Sequence, residues 1–433
     1  MEEPVAVRPV GGPGGVADGG GNESRIALIS DNLAAFALRA LGARSAVRVL
    51  DLQYYIWAED LTGQLLAREV LRAADRGARV RMLLDDLYVR RATERELVVL
   101  AHHPRIEVRL YNPFQLRAFG LLGDAVEFLF ASYRLNHRMH NKAWIVDDDF
   151  AIAGGRNIGD EYFGAASQFN FRDLDLLVGG PAAQQAGAIF DRYWYHPRAR
   201  PIGEIATLRL GDGELAELRE KLEASARSAQ APAYLKSIQA AEAAEDAGPA
   251  TNSVALASDA VRLIADPPGK GRGRRRDRRM YKAILRALRD ASAEAFLISP
   301  YFVPGRRGSR VLTDLARRGV RVSVLTNSLA ATDVLAVHGR YERYRKRLLR
   351  AGVHVYELKH GGQEGKSLFG SVGASLHTKA FGVDGRLIFV GSFNFDPRSA
   401  NLNTEMGAFV ENGALAAELG REFARLTDAE RSW

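Results

Sequence analysis

The spacing of apolar residues predicts alternating helices and strands after a short N-terminal segment. Four segments follow one another in the order helix, strand, helix, strand: residues 27–46, 47–57, 62–77 and 79–86. In the first, Leu33, Phe36 and Leu41 recur at helical spacing, whereas the second is β-branched and aromatic. The third is amphipathic and ends at Gly77. This β-α-β order predicts parallel strands covered by helices, and a further short strand is expected over 106–114.

The same order of segments returns in the second half of the chain, where four stretches match the earlier strand, helix, strand and strand: residues 295–305, 309–319, 320–328 and 350–358. An internal repeat of this length predicts two similar lobes. We therefore expect an α/β fold in which each lobe is a mixed, mostly parallel sheet flanked by helices. The predicted organisation is a flexible Gly-rich tail over 1–24, a first lobe over 25–202, a helical connector over 203–251 and a second lobe over 252–433.

Composition and charge limit which side chains can act in a site and which partners the protein favours. The 433 residues include no cysteine, which excludes disulfides, thiolate nucleophiles and cysteine metal ligands and fits a reducing compartment. Lys and Arg outnumber Asp and Glu by 60 to 52, a formal charge of +8 that favours anionic partners such as lipid headgroups or nucleic acid. The same excess is equally typical of a solvated basic surface. The pattern predicts neither a secretory signal nor a membrane-spanning helix.

One polar motif occurs twice with identical internal spacing. Its first copy begins in RMHNKAWIVDDD and its second in SLHTKAFGVDGR. The matching residues are His140, Lys142, Asp147, Gly154, Gly155 and Asn157 in the first lobe, and His377, Lys379, Asp384, Gly391, Ser392 and Asn394 in the second.

The residue types in this motif suit the chemistry of a phosphoryl group. Positions i and i+2 of a strand share a face, so His140 and Lys142 point the same way, as do His377 and Lys379. An imidazole, a fixed cation and a carboxamide at one point can bind and attack phosphorus. A single H-x-K is more often a core histidine beside a lysine whose ammonium reaches water. The duplication favours the catalytic interpretation.

The doubled pattern H-x-K-x4-D-x6-G-[GS]-x-N resembles the phospholipase D superfamily from about residue 25 to the C-terminus. Two longer stretches, RMHNKAWIVDDDFAIAGGRNIGDEYF and LTNSLAATDVLAVHGRYERYRKRLLRAGVHVYEL, are similar to bacterial cardiolipin synthases of the type without transmembrane helices. The resemblance implies two phospholipase D-like lobes packed about a pseudo-twofold axis, with both histidines facing one pocket. We expect no metal or other cofactor, because the lysines and asparagines of the motif would hold the charged phosphate oxygens.

The resemblance implies a role for each residue of the motif. His140 would be the nucleophile that forms a phosphohistidine, and His377 the general acid and then base, although two nearly symmetric motifs leave that order open. Asp173 and Glu405 match the acidic residues that hold the histidines, with Asp175 as a competitor for Asp173. The remaining residues divide into those that would hold phosphate oxygens, Lys142, Lys379, Asn157 and Asn394, and those with a structural role, Asp147 and Asp384.

Two further features bear on the substrate. Aromatic residues end the leading strands, and core packing is the default for them over a lipid-facing role: Tyr54, Tyr55, Trp57, Tyr301 and Phe302. In the run KGRGRRRDRRMYK, residues 270–279 carry seven cations against Asp277, which suits either an anionic membrane or a solvated loop: Lys270, Arg272, Arg274, Arg275, Arg276, Arg278 and Arg279.

Three functions compete at this stage. The first is a phosphatidyltransferase that makes cardiolipin from phosphatidylglycerol and a second phospholipid, either phosphatidylethanolamine or phosphatidylglycerol. The second is a hydrolase that acts on phospholipid or nucleic acid through the same intermediate, and the third is a non-catalytic lipid-binding scaffold. The intact motifs and the second similar stretch favour the transferase. Its expected partners are phospholipid substrates and the surface of an anionic membrane, and its expected location is cytoplasmic and peripheral on the inner membrane.

Overall fold

The computed structural model describes residues 23–116, 126–127, 129, 131, 133–206, 208, 210–246, 256–258, 260–270, 277–332, 335–359 and 373–433. Most of the predicted tail, residues 1–22, and the central part of the basic run, residues 271–276, lie outside the described residues. Within the described part of the chain, no helix is both long enough and apolar enough to cross a membrane.

Eighteen strands are described, each three to seven residues long. They are β1 (Ser24–Ile29), β2 (Val49–Tyr54), β3 (Arg79–Asp85), β4 (Ile106–Tyr111), β5 (Ala143–Val146), β6 (Phe150–Gly154), β7 (Phe169–Arg172), β8 (Asp175–Gly179), β9 (Ala199–Pro201), β10 (Leu256–Ser258), β11 (Val261–Ala265), β12 (Glu294–Ile298), β13 (Arg321–Asn327), β14 (His354–Leu358), β15 (Gly373–Leu376), β16 (Ala380–Val383), β17 (Leu387–Gly391) and β18 (Met406–Glu411).

The described helices flank these strands. They are α1 (Asn32–Ser45), α2 (Leu61–Asp75), α3 (Asp86–Ala92), α4 (Glu94–Leu100), α5 (Asp160–Phe163), α6 (Pro181–Trp194), α7 (Glu214–Ala226), α8 (Ala231–Asp246), α9 (Arg279–Arg289), α10 (Gly305–Arg317), α11 (Leu335–Arg350), α12 (Pro397–Asn401) and α13 (Gly413–Leu426), with a 3-10 turn at Ile202–Glu204.

The two large sheets repeat one strand order. The first is β10-β1-β8-β6-β5-β2-β3-β4-β9 and the second is β11-β18-β17-β16-β12-β13-β14. Seven strands of the first sheet, from β1 to β4 in that order, therefore correspond one to one with the whole of the second, and β10 and β9 are added at the edges. The two similar α/β lobes expected from the repeat are confirmed, each with a mixed sheet flanked by helices.

Parallel pairing is confined to the β-α-β part of each lobe. Strands β2, β3 and β4 pair in parallel, as do β12, β13 and β14, whereas the other pairs of the two large sheets are antiparallel. The antiparallel share is larger than expected from the sequence. The physical reason is that β5–β6 and β16–β17 are hairpins, which can join only antiparallel neighbours.

The first predicted helix begins later than its apolar spacing indicated. The expectation of helix from residue 27 is wrong at its start, because β1 extends to Ile29 and pairs with β8. The helix begins only after Asp31, whose side chain accepts a hydrogen bond of 2.7 Å from the backbone N–H of Ala34. The burial of Ile26 and Ile29 satisfies a strand and a helix equally, so the N-cap alone separates them.

The lobes share a core and exchange backbone pairing. One apolar cluster includes Ala143 and Leu176 from the first lobe together with Val390 and Met406 from the second. Strand β15 of the second lobe pairs in parallel with β7 of the first as a separate two-stranded sheet. In the connector, α7 and α8 pack on the first lobe. Strand β10 lies beyond the predicted connector, and it extends the first sheet beside β1 rather than the second sheet. Each lobe is thus fixed to the other close to the doubled motif.

Candidate active site

Each doubled motif sits at the start of a buried hairpin. His140 and Lys142 precede β5, and His377 and Lys379 precede β16; all four residues are at most 7% exposed. Every residue of β5, including Trp144, and every residue of β16 is buried, so both faces of each strand pack in the core. The core therefore holds the hairpin in place and leaves its first polar residues at one edge of each sheet.

The motif aspartates lie at the opposite ends of these strands. Asp147 and Asp384 adopt left-handed backbone conformations, with φ of 54° and 51°, at the hairpin turns. The carboxylate of Asp147 accepts hydrogen bonds of 2.6–2.9 Å from three successive backbone N–H groups, those of residues 47–49. Burial acts to raise the pKa of Asp384, but backbone donors at residues 292–294 outweigh it and hold the pKa at about 2. Both carboxylates tie the hairpin to the leading strand, far from the histidines.

Each histidine is held by a carboxylate from the other lobe. His140 Nδ1 lies 2.9 Å from Glu405 Oε2 and 3.1 Å from the carbonyl oxygen of Ser392. His377 Nδ1 lies 2.5 Å from Asp173 Oδ2. Both carboxylates are at most 2% exposed. With Nδ1 engaged in this way, Nε2 is the imidazole nitrogen left to face a substrate.

Backbone pairing between the lobes produces this exchange. Leu376 pairs with Arg172 in the β15–β7 ladder, so the next residues, His377 and Asp173, lie side by side. The backbone N–H of His377 donates to the carbonyl oxygen of Arg172 at 2.8 Å. On the other side, a single parallel bridge joins Met139 and Thr404, and it brings the histidine and glutamate that follow them together in the same way.

The two lysines are buried next to the histidines. Lys142 Nζ donates to the carbonyl oxygen of His140 at 2.7 Å, and Lys379 Nζ donates to the carbonyl oxygen of His377 and lies 2.9 Å from its Nδ1. Burial lowers the pKa of Lys142 to about 7, with Glu405 opposing and Lys379 adding to the shift. The charges of the two motifs thus act on one another across the lobe boundary.

Burial also keeps both imidazoles neutral. Burial lowers the pKa of His140, against the opposing effect of Glu405. The pKa of His377 falls to about 3, because burial and the adjacent Lys379 ammonium outweigh Asp173. Burial opposes ionisation of Asp173 and Glu405 as well, yet the neighbouring lysines and histidines hold the pKa of each below its usual value. The site therefore holds two carboxylates, two lysine amino groups and two neutral imidazoles side by side.

The carboxamides and the competing aspartate occupy different surroundings. Asn157 is hydrogen-bonded within its own lobe: its side-chain oxygen accepts from Ile56 N–H at 3.2 Å, and its Nδ2 donates to the Tyr162 hydroxyl at 2.8 Å. Asn394 is 5% exposed, and its Oδ1 has no hydrogen-bond partner among the described residues. Asp175 contacts neither histidine but pairs with two buried arginines, Arg39 and Arg156, at 2.9 and 3.2 Å.

Aromatic rings that the motif did not indicate pack against the imidazoles. The Tyr55 ring lies 5.0 Å from that of His140, and the Tyr88 ring lies 5.0 Å from Tyr55. Around His377, the rings of Tyr162 and Phe171 lie 5.2 and 4.7 Å away. Of the aromatic residues noted in the sequence, Tyr54, Trp57 and Phe302 are buried in the core, as the default interpretation predicted. Tyr88, Tyr162 and Phe171 were not noted in the sequence, because their spacing follows no helix or strand period. Only the folded structure shows that they lie near the histidines.

A serine in the second motif also touches the site. Ser392 Oγ donates to Glu405 Oε2 at 2.5 Å and accepts from Met406 N–H at 3.1 Å. Its counterpart in the first motif is Gly155, where a Cβ atom would lie only 2.2 Å from Asp173 Oδ1. At the [GS] position of the motif, glycine thus lies beside Asp173 and serine lies beside Glu405. This difference between the two motif copies was the sequence feature that could have indicated the contact.

The described part of the basic run does not form one surface. Lys270 is buried and donates to Asp266 Oδ2 and to the carbonyl oxygen of Ser399, both at 2.6 Å. Arg279 is exposed, and the four arginines between residues 271 and 276 lie outside the described residues. Elsewhere in the described residues, no cluster of three or more His, Asp or Glu side chains is arranged to hold a metal ion.

Comparisons with known proteins agree with this geometry. Residues 43–194 and 284–427 match the family model described as "Cardiolipin synthase, PLD-like domain". Cardiolipin synthase C of Escherichia coli is 41% identical over 401 residues, 91% of this chain and 83% of that protein. An uncharacterized protein of Helicobacter pylori is 34% identical over 426 residues, 95% of this chain and 80% of that protein.

A solved structure supports the fold independently. The structure of phosphatidylserine synthase from Haemophilus influenzae matches with a TM-score of 0.64 over 94% of this chain and 87% of that one, at 16% identity. At that identity the likeness concerns the fold alone. The family model covers more than half of the chain and reaches into both lobes. The chain therefore belongs to the cardiolipin synthase family of proteins with phospholipase D-like domains.

Proposed function

We propose that this chain is a phosphatidyltransferase that forms cardiolipin from phosphatidylglycerol and a second phospholipid, either phosphatidylethanolamine or phosphatidylglycerol. The observation that carries the proposal is the pair of buried imidazoles, each held by a carboxylate of the opposite lobe, in a chain 41% identical to a cardiolipin synthase. A scaffold that only binds lipid would not need two buried, oriented histidines, since burying polar groups costs stability.

In the first step, one phosphatidyl group moves to the enzyme. Because Glu405 accepts the Nδ1 proton of His140, the Nε2 lone pair is free to attack phosphorus. A bond forms between Nε2 and phosphorus while the bond from phosphorus to the leaving alcohol oxygen breaks. His377 supplies the proton that this oxygen takes up, and Lys142 and Lys379 bind the charged phosphoryl oxygens.

The resting site must gain one proton before this step. Both histidines have lowered pKa values, so His377 is neutral in the empty site at neutral pH. A bound phosphodiester brings a negative charge next to the imidazole and to the ammonium of Lys379. Such a charge raises the pKa of a nearby cationic acid. We infer that substrate binding itself recruits the proton that His377 then donates.

The second step reverses the roles. His377, now neutral, takes the proton from the primary hydroxyl of a phosphatidylglycerol molecule, and that oxygen attacks the phosphohistidine phosphorus. The nitrogen–phosphorus bond breaks and His140 is restored, while His377 is left protonated. As cardiolipin leaves, the negative charge beside His377 leaves with it, and His377 releases to water the proton that it took up when substrate bound. Water in place of the lipid hydroxyl would give phosphatidic acid, so exclusion of water decides between transfer and hydrolysis.

Exposed apolar side chains near the site support a lipid substrate. Leu87 and Tyr88 follow β3 and are 36% and 46% exposed, and the Tyr88 ring packs on Tyr55, which in turn packs on His140. In the second lobe, Leu329 is 56% exposed and follows Asn327, which holds the backbone of Leu376 beside His377. Apolar residues at the mouth of a polar site suit a substrate with acyl chains.

An assay with purified protein tests the proposal. The protein is mixed with vesicles of phosphatidylglycerol and phosphatidylethanolamine in the presence of EDTA, and the products are resolved by mass spectrometry. We expect cardiolipin together with the released alcohol, glycerol or ethanolamine, which also identifies the donor. Phosphatidic acid without cardiolipin would replace the transferase by a hydrolase, and cleavage of single-stranded DNA at a comparable rate would favour a nuclease.

A further inference from the structure

A basic groove lies on the outer surface of the second lobe, between α9 and α10. Its volume is about 790 Å³, and its lining contains seven cations, Lys or Arg, against two acids, Asp290 and Asp314. A net charge of +5 is thus concentrated in the thirteen lining residues of a chain whose total charge is +8. This groove is separate from the histidines and lysines of the doubled motif.

The arrangement follows from the amphipathic pattern of the two helices. Tyr281 and Leu285 of α9 and Val311 and Leu315 of α10 are buried and form the apolar floor of the groove. The cations flank that floor, one turn apart along each helix, because residues three or four apart share a helix face. The floor contributes to the lobe's core, while the cations remain at the water boundary.

Five of the seven groove cations have no carboxylate partner among the described residues. Within the described part of the chain, no carboxylate lies within ion-pair distance of Lys282, Arg286, Arg289, Arg307 or Arg310, although both groove acids are nearby. All five are exposed. Like charges held this close repel one another, and that repulsion is relieved when an anionic partner binds.

The groove begins at the edge of the sheet that carries the active site. Helix α9 starts where the backbone N–H of Met280 donates to Asp266 Oδ1 at 3.0 Å, and the backbone of Asp266 is in turn bonded to that of Glu405 at 2.9 Å. Helix α10 starts after Val303, whose N–H donates to the Phe395 carbonyl oxygen beside Asn394. One end of the groove is therefore close to the histidine-orienting carboxylate.

We propose that the groove between α9 and α10 binds the headgroups of anionic phospholipids and docks the second lobe on the membrane surface. The proposal rests on the proposed function, because a membrane-embedded substrate requires the site to reach the lipid surface. A membrane presents many phosphates in a plane, which complements a row of uncompensated cations. The apolar residues Leu87, Tyr88 and Leu329 at the same edge favour a lipid surface over the polar backbone of a nucleic acid.

Charge reversal tests the groove. Lys282, Arg286 and Arg310 are replaced together by Glu, and the matched control replaces Arg343, Lys346 and Arg347 of α11, which are exposed and lie outside the groove. Both variants change the net charge by the same amount and substitute two arginines and one lysine. Binding is measured by cosedimentation with vesicles of phosphatidylcholine containing phosphatidylglycerol, at low and at physiological salt.

We expect the groove variant to lose affinity for these vesicles by at least ~10-fold, since each basic residue near an anionic surface is worth roughly a factor of five. The control variant should stay within about twofold of the unaltered protein. An equal loss in both variants would overturn the proposal, because it would show an effect of net charge alone. Retained vesicle binding with lost binding of single-stranded DNA would assign the groove to nucleic acid instead.

Two further measurements separate this proposal from the proposed function. A milder variant with Gln at the same three positions, checked by circular dichroism and thermal melting, guards against misfolding. Cardiolipin formation is also measured on short-chain phosphatidylglycerol dispersed as monomers, where docking is not required. The groove variant should keep its rate there. If the unaltered protein forms no cardiolipin in either assay, the proposed function fails, whereas the binding result still decides the groove.

Discussion

The two lobes hold equivalent histidine segments with different chemistry. In the first lobe, Asp85 at the end of β3 accepts from Met139 N–H at 2.8 Å and pairs with the buried Arg138 at 3.3 Å. In the second, Asn327 at the end of β13 takes the same position and binds both the N–H and the carbonyl oxygen of Leu376 at 3.0 Å. An ion pair in one lobe is thus matched by a neutral carboxamide in the other.

The orienting carboxylates differ as well. Asp173 approaches His377 to 2.5 Å beside Gly155, while Glu405, one methylene longer, reaches His140 at 2.9 Å and is itself held by Ser392. The lysines also differ, since only Lys379 approaches the imidazole nitrogen of its own motif. Duplicated motifs therefore need not be equivalent. The strand arrangement is repeated, but the two imidazoles have different hydrogen-bond partners. The proposed mechanism needs such a difference, because one imidazole acts as nucleophile and the other as acid.

Removing either histidine should have the largest effect on turnover, and the two variants should lose different amounts although their motifs are alike. For His140→Ala we expect loss of at least ~10⁴ in turnover, since no covalent intermediate can form. For His377→Ala we expect loss of about 10²–10⁴, the usual contribution of proton transfer. Rates are measured on phosphatidylglycerol vesicles.

A substrate with an aryl leaving group distinguishes the two roles. A nitrophenyl phosphodiester expels a stable anion that needs no protonation, so it should restore cleavage by the His377→Ala variant but not by His140→Ala. The reverse pattern would exchange the assignments of nucleophile and acid. Near-normal turnover in either variant on the natural lipid would refute the paired mechanism.

Replacing the lysines should separate function from stability. Lys142→Met and Lys379→Met should each lower turnover by ~10²–10³, as expected for loss of one preorganised charge at the phosphoryl group. Because burial lowers the pKa of Lys142 to about 7, its ammonium costs folding free energy at and below neutral pH. Lys142→Met should therefore also stabilise the protein by ~1–3 kcal/mol in urea unfolding. A destabilised, active variant would contradict both expectations.

Exchanging the small residues of the two motifs should show a smaller, unequal effect. Gly155→Ser places a Cβ atom 2.2 Å from Asp173 Oδ1, so the carboxylate must move away from His377. We expect ~10–100-fold lower turnover together with a lower melting temperature. Ser392→Gly removes one hydrogen bond to Glu405 and should cost only ~1 kcal/mol, or a few-fold in rate. Equal effects would show that the two carboxylates are held alike.

The last prediction concerns how the stability of the fold depends on pH. The folded pKa of His377, about 3, lies below the unfolded value of roughly 6.5, so the unfolded chain binds more protons between these pH values. The stability associated with neutral His377 is present above pH 6.5 and is lost as pH falls towards 3. His377→Asn should remove this dependence, so that ~2 kcal/mol less stability is lost between pH 7 and 5. Urea unfolding at both pH values measures the difference, and an unchanged pH dependence would contradict it.

The order of strands and helices in the two lobes is well predicted from the sequence, because the patterns that indicate it are local and periodic. Strand and helix periods, the glycine that ends α2 and the equal spacing of the two motifs each lie within a few turns of chain. The start of α1 is less predictable, since Ile26 and Ile29 suit either element and the decision falls to the cap at Asp31.

The pairing within the site is not visible in the sequence. Glu405 and His140 are 265 positions apart, and only the bridge between Met139 and Thr404 in the folded chain brings them together. The motif indicates that each histidine needs a carboxylate but not which lobe provides it. The same holds for the Tyr55 ring beside His140, and for the groove, whose cations become neighbours only when α9 packs against α10.

The exchange of carboxylates between the lobes also affects the newly made chain. During synthesis the first lobe leaves the ribosome before Glu405 and His377 have been translated, so a folded first lobe holds His140 without its orienting partner. On the proposed mechanism, reactivity towards phosphodiesters arises only when the segments that carry His377 and Glu405 join the first lobe. We therefore expect a truncated or half-folded product to be inert towards phospholipids, because its histidine lacks the carboxylate from the other lobe.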